Sequence, residues 1–169
     1  SDISINNVLV EDTGANGCTN NCFGVYINSG SNILINNYET KFSLDSNSIY
    51  GLYSHNNKIE INDSKLNIEA DSNSENFGVY LSNCNLIENR SLINNNFLNI
   101  SGGTTNYGIY LSNSSCDVNY SSIDTVDETG GRSSYGIGFR GESSIAKIII
   151  KNIIGFVHSD SNNDTITSN

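Results

Sequence analysis

Proline, methionine and tryptophan are absent from this 169-residue chain, and charge is scarce. Without proline there is no polyproline or collagen-like segment. Charged residues make up 15%, too few for the salt-bridged faces of a helical bundle or coiled coil. Bases are the rarer sign: 8 Lys and Arg against 18 Asp and Glu give a net charge of −10. That balance argues against binding nucleic acid and against a polybasic membrane-surface role. Long apolar runs are also missing. The longest, from Ile148 to Phe156, is broken by Lys151, Asn152 and Gly155, and a membrane helix needs about 18 consecutive apolar residues. No transmembrane segment is therefore expected. The chain opens without a signal-peptide pattern and without Met, as expected of a processed or partial sequence. Its two histidines, His55 and His158, stand alone, and a structural role is expected for each.

What is abundant is Asn, Ser, Gly and β-branched apolar residues, and they are regularly placed. A phrase of aromatic, Gly, aliphatic and Tyr recurs as Phe23-Gly24-Val25-Tyr26, Tyr50-Gly51-Leu52-Tyr53, Phe77-Gly78-Val79-Tyr80 and Tyr107-Gly108-Ile109-Tyr110. An altered fifth copy is Tyr135-Gly136-Ile137-Gly138-Phe139, and the spacings are 27, 27, 30 and 28 residues. A second phrase, an apolar residue followed by Asn or a near substitute, trails each copy: Ile35-Asn36-Asn37, Ile61-Asn62-Asp63, Ile93-Asn94-Asn95, Val118-Asn119-Tyr120 and Ile150-Lys151-Asn152. Short alternating stretches such as Leu66-Asn67-Ile68 follow, then a polar loop.

Each repeat thus holds two or three strands of period-2 alternation, without 3.6-residue periodicity and without room for crossover helices. The expectation is an all-β chain forming one parallel β-solenoid domain over residues 1–169, with five to six coils of about 27–30 residues. Alternation places Val25, Ile27 and Phe23 inward, and Gly24, Tyr26 and Asn28 outward. The Asn phrase belongs where the coil bends, because Asn tolerates left-handed backbone. Stacked Asn36, Asn62, Asn94 and Asn119 are expected to bond from coil to coil.

The phrases Gly108-Ile-Tyr-Leu-Ser-Asn-Ser114 and Ile-Asn-Asn resemble the repeat of right-handed parallel β-helices of the pectate-lyase-like superfamily. The short-looped, Asn- and Ser-rich form is most similar to bacterial surface and adhesin-like members. The resemblance implies right-handed coiling, and a superfamily of polysaccharide lyases and hydrolases, phage tailspikes, autotransporter passengers and surface repeat proteins.

Three sets of residues could carry chemistry. Acids recur in the loops that close each coil and are expected to align into an acidic edge. Val126 to Arg132 is the richest loop, with Asp127 and Glu128 as candidate Ca²⁺ ligands, since hard cations take carboxylate oxygens. The alternative is a solvated edge. The resemblance implies that a lyase would also need a basic residue beside clustered Asp. Asp124, Asp127 and Arg132 are the best set for a carbohydrate-active enzyme. No basic residue recurs beside an acid cluster, so a non-enzymatic chain without cofactor is expected.

Tyr26, Tyr53, Tyr80 and Tyr110 form an outward stripe that could bind glycans or a partner protein, or could simply stabilise the sheet. Four cysteines fit an oxidising, extracellular setting. Cys18 and Cys22 could close a short loop, and Cys84 and Cys116 could meet between coils. Unbridged thiols and a Cys₄ zinc site are the rivals. The chain begins directly on the repeat phrase, and the expected assembly is a head-to-tail stacking fibre subunit.

Overall fold

In a computed structural model of the chain, the regular elements among the described residues are all strands. It describes residues 2–13, 18–28, 32–44, 46–70, 74–84, 91–94, 96–126, 133–140, 144–154, 156–159 and 165–166. Side chains are described as far as residue 140, apart from Tyr120, Val126, Ser133, Ser134 and Phe139. The strands are β1 (Ile3–Asp12), β2 (Asn21–Asn28), β3 (Asn32–Leu44), β4 (Ser48–His55), β5 (Lys58–Asn62), β6 (Lys65–Ala70), β7 (Glu75–Ser82), β8 (Ser91–Asn94), β9 (Phe97–Gly102), β10 (Thr105–Ser112), β11 (Ser115–Val126), β12 (Ser133–Arg140), β13 (Ser144–Ile154), β14 (Phe156–Ser159) and β15 (Thr165–Ile166).

Every strand pairs in parallel with its equivalent one repeat away. The aromatic-Gly strands β2, β4, β7, β10, β12 and β14 stack in that order as one sheet, and the remaining nine strands form the other. This is the expected parallel β-solenoid. About four turns, β2–β3, β4–β6, β7–β9 and β10–β11, are described down to their side chains, slightly fewer than the five to six coils expected from the sequence.

Period-2 alternation supplies the interior. Ile35, Ile61, Ile93 and Val118 pair in register, as do Val25, Leu52, Val79, Ile109 and Ile137. All but Val25 are fully buried. Each column repeats one residue type at the strand spacing, so the core is contiguous along the axis.

Among the described residues, bends in the turns are made by single residues with left-handed backbone. Asn56, Asn83 and Asn113 follow the aromatic strand, with φ of 57°, 52° and 47°. Asn7, Asn37 and Asp63 break the other sheet, with φ of 56°, 50° and 50°. Asn and Asp are the non-glycine residues best suited to this conformation. After Asp63 and Asn113 a buried serine caps the bend: Ser64 and Ser114 donate from Oγ to the carbonyls of Asn62 and Ser112, two residues back, at 2.8 and 2.9 Å. Ser121 makes the same bond to Asn119 at 3.1 Å.

The aromatic strands depart from simple alternation, which corrects the expected facing of Phe23 and Gly24. Phe23 lies on the outer face, its ring centroid 4.9 Å from that of Tyr26. Gly24 faces inward, where a Cβ would meet the Tyr38 hydroxyl and Thr40. Gly and the aliphatic residue after it both face the core, so the phase slips once per turn at the same place. The slip works only with glycine. A Cβ on Gly78 would sit 2.5 Å from the Gly108 carbonyl oxygen and 2.9 Å from Leu98. A Cβ on Gly51 or Gly108 would lie 2.7 Å from the carbonyl oxygen of the glycine in the next turn. Gly78→Ala is expected to destabilise the fold by about 1–3 kcal/mol through overpacking, read as a fall in the urea midpoint. An unchanged midpoint would refute the inward assignment of the glycines.

Candidate functional site

The phase slip brings two aromatic columns to the outer face of the aromatic-strand sheet. Phe23, Tyr50, Phe77, Tyr107 and Tyr135 stack near-parallel with centroids 4.8, 4.9, 5.3 and 5.1 Å apart. Beside them Tyr26, Tyr53, Tyr80 and Tyr110 follow at 5.1, 5.1 and 4.9 Å. The columns meet edge to face, as in the Tyr50–Tyr53 and Phe77–Tyr80 contacts. Offset stacking and T-shaped contacts are the two arrangements that the ring quadrupole favours.

The four expected tyrosines are thus in one register, on the expected face. The geometry changes what they can do. Each inner ring has a stacked or tilted neighbour on both sides, so its faces are covered, and the stripe presents ring edges and hydroxyls. A flat platform for sugar rings is not what this arrangement offers. Burial in the columns pushes the phenols of Tyr50 and Tyr80 above their ordinary value, despite hydrogen bonds to Ser48 and Ser112 that act the other way. The outer column stops at Gly138, where a side chain would strike the Tyr107 and Tyr110 rings. There Tyr110 is nearly enclosed, whereas Tyr26 at the other end is 53% exposed. A shallow groove crosses the face between Glu75, Thr105 and Arg140.

The Asn ladder is present. Asn36 donates to Asn6 at 2.8 Å, Asn62 to Asn36 at 3.1 Å, and Asn94 to Asn62 at 3.3 Å. Asn119 continues the column in register. Its next counterpart is Ile149, which has no amide, and the buried Oδ1 of Asn119 has no hydrogen-bond partner. Further amide pairs at the corners, Asn37–Asn7 and Asn113–Asn83, were not anticipated as separate ladders. An internal pair is Asn76–Asn106.

The cysteines divide. Cys18 and Cys22 form a disulfide, with Cα atoms 5.7 Å apart. Cys84 and Cys116 do not meet: both are buried thiols. The reason is register. Cys84 takes the inward corner position of Ser114, whose Oγ accepts from the Cys84 backbone N–H at 2.9 Å. Cys116 lies two residues further along its turn, paired with Ser91. Burial pushes the Cys84 thiol up, partly offset by hydrogen bonds. Similar distance from the aromatic phrase suggests a pairing, but two residues of offset put the side chains in different columns.

The expected acidic edge is not formed among the described residues. Glu11 and Asp124 share a column but are separated by Lys41, Asn67 and Asn99. Glu69 pairs with Ser43 and Ser101, and Glu75 with Ser48 and Thr105. Among the described residues no group of His, Cys, Asp and Glu could hold a metal ion. Asp127, Glu128 and Arg132 lie outside the described residues. His55 contacts Ser82 Oγ through Nδ1 at 3.1 Å. Among the described residues no helix is long and apolar enough to cross a membrane.

Comparison with family models, with curated proteins and with solved structures finds no match for the chain.

Two outcomes follow from these contacts. Asn62 bonds both ladder neighbours and Glu60. Asn62→Ala is expected to cost about 1–3 kcal/mol by leaving amide groups of the flanking rungs unsatisfied, read as a lower thermal midpoint. A thiol reagent at about pH 8 should modify neither Cys84 nor Cys116 in the native protein and both after denaturation, because reaction needs an accessible thiolate. Modification without unfolding would contradict their burial.

Proposed function

We propose that this chain is a non-enzymatic structural and adhesion module of the cell exterior, a right-handed β-helix of the surface-protein kind within the pectate-lyase-like type, and that its copies stack end to end. The observation that carries this reading is the state of the ladders at the N-terminal end of the described stack. Asn6, Asn7, Phe23 and Tyr26 are the terminal members of columns running up the solenoid. β1 pairs on one side, with β3, and its Ile3, Val8 and Leu9 are exposed. Uncovered strand edges with apolar side chains are templates for strand addition.

A second copy of the chain fits this edge. The register of β14 on β12 puts Phe156 in the column of Tyr135 and His158 in that of Gly138. The register positions that Phe23 and Tyr26 hold in β2 are thus taken by Phe156 and His158 in β14. Head-to-tail contacts of this kind generate open filaments. The Cys18–Cys22 disulfide favours an oxidising compartment. Contact with glycans or a neighbouring cell surface would use the ring edges and hydroxyls of Tyr53 and Tyr80.

Electron microscopy of the isolated protein tests the assembly. The expected result is filaments with an axial repeat of roughly 29 Å, six strand spacings, and loss of filaments in a folded Tyr26→Asp variant. Short separate rods at every concentration would overturn end-to-end stacking.

A further inference from the structure

We propose that Tyr26 and Tyr53 are an oxidative cross-linking site, at which a one-electron oxidant of the haem peroxidase class, using hydrogen peroxide, joins the first two turns through a dityrosine bond. The inner aromatic column mixes Phe and Tyr, whereas the outer one is tyrosine at every rung from Tyr26 to Tyr110. Phenylalanine would stack equally well there, so packing alone does not call for the hydroxyls.

Geometry singles out one pair. The rings of Tyr26 and Tyr53 are 5.1 Å apart and within 8° of parallel. The other ring neighbours of Tyr26 include Phe23, at 4.9 Å, which has no phenol to oxidise. Coupling requires the two rings to turn from face to face to edge to edge. Tyr53 is held on its other side by Tyr80, so the turning falls to Tyr26. Tyr26 is 53% exposed, which gives its ring room to rotate and gives an external oxidant access.

The chemistry balances. Each phenol gives one electron to the oxidised haem and its hydroxyl proton to solvent. The spin of each phenoxyl radical spreads to the ring carbons ortho to oxygen. A carbon–carbon bond forms between one ortho carbon of each ring, and the hydrogen on each of those carbons then moves to the oxygen, restoring both phenols. Peroxide takes up the two electrons and two protons and leaves as two molecules of water. The bond would tie residues one full turn apart, at the same end of the solenoid as the Cys18–Cys22 disulfide. The site needs no second copy, because both tyrosines belong to one chain; end-to-end stacking would cover Tyr26, so the site is one of the unassembled protein.

The test is treatment of the dilute protein with a haem peroxidase and hydrogen peroxide, followed by peptide mapping and dityrosine fluorescence. The expected product is a linked peptide containing Tyr26 and Tyr53, lighter by two hydrogens, in a protein of unchanged molecular size with a raised thermal midpoint. Tyr53→Phe keeps a ring in the column and is expected to abolish linkage at Tyr26. The proposal is overturned if Tyr26 stays unlinked while other tyrosines couple, if it links only between molecules, or if Tyr53→Phe leaves its linkage intact.

Discussion

Parallel, in-register stacking places each side chain about 4.8 Å from its counterpart in the next turn, so every column must be compatible with itself. This constraint accounts for most of the composition. Like charges repel at that distance, and the charged positions that exist are interleaved, as where Glu11, Lys41, Asn67, Asn99 and Asp124 share a column. Amides satisfy one another because each carries both a donor and an acceptor. Aromatic rings stack, aliphatic residues pack, and glycine follows glycine because the backbone of one turn occupies the space where the side chain of another would be.

The same constraint explains what could be read from the sequence. A phrase recurring every 27 to 30 residues defines the stack, and the Ile-Asn phrase locates both the ladder of Asn36, Asn62 and Asn94 and the adjoining bend at Asn37 and Asp63. The corner at Asn56, Asn83 and Asn113 was equally visible as a Ser-Asn or His-Asn pair after each aromatic phrase, but only the backbone angles give it a meaning. The facing of Phe23 was not legible. Strict alternation assigns it inward, and nothing in the local sequence except the invariant position of glycine within the phrase hints at a slip.

The candidate site was legible in register but less so in use. Tyr26, Tyr53, Tyr80 and Tyr110 stand in one line as their spacing requires, yet ring orientation decides whether faces or edges meet solvent, and orientation depends on the second column that the slip creates. Cysteine pairing failed for a related reason: spacing along the chain matters less than column. Cys84 and Cys116 differ by two positions, enough for one to cap a corner and the other to sit within a strand.

The outer amide ladders have one more consequence. In each, the amide nitrogen of a later turn donates to the oxygen of the turn before, from Asn36 to Asn6, Asn47 to Asn20, Asn62 to Asn36 and Asn113 to Asn83. These dipoles point the same way along the axis and add, as peptide dipoles do along a helix. The solenoid therefore has an electrical direction as well as a chain direction. Through these outer ladders its N-terminal end carries the positive pole and the other end the negative, with no helix among the described residues to supply either.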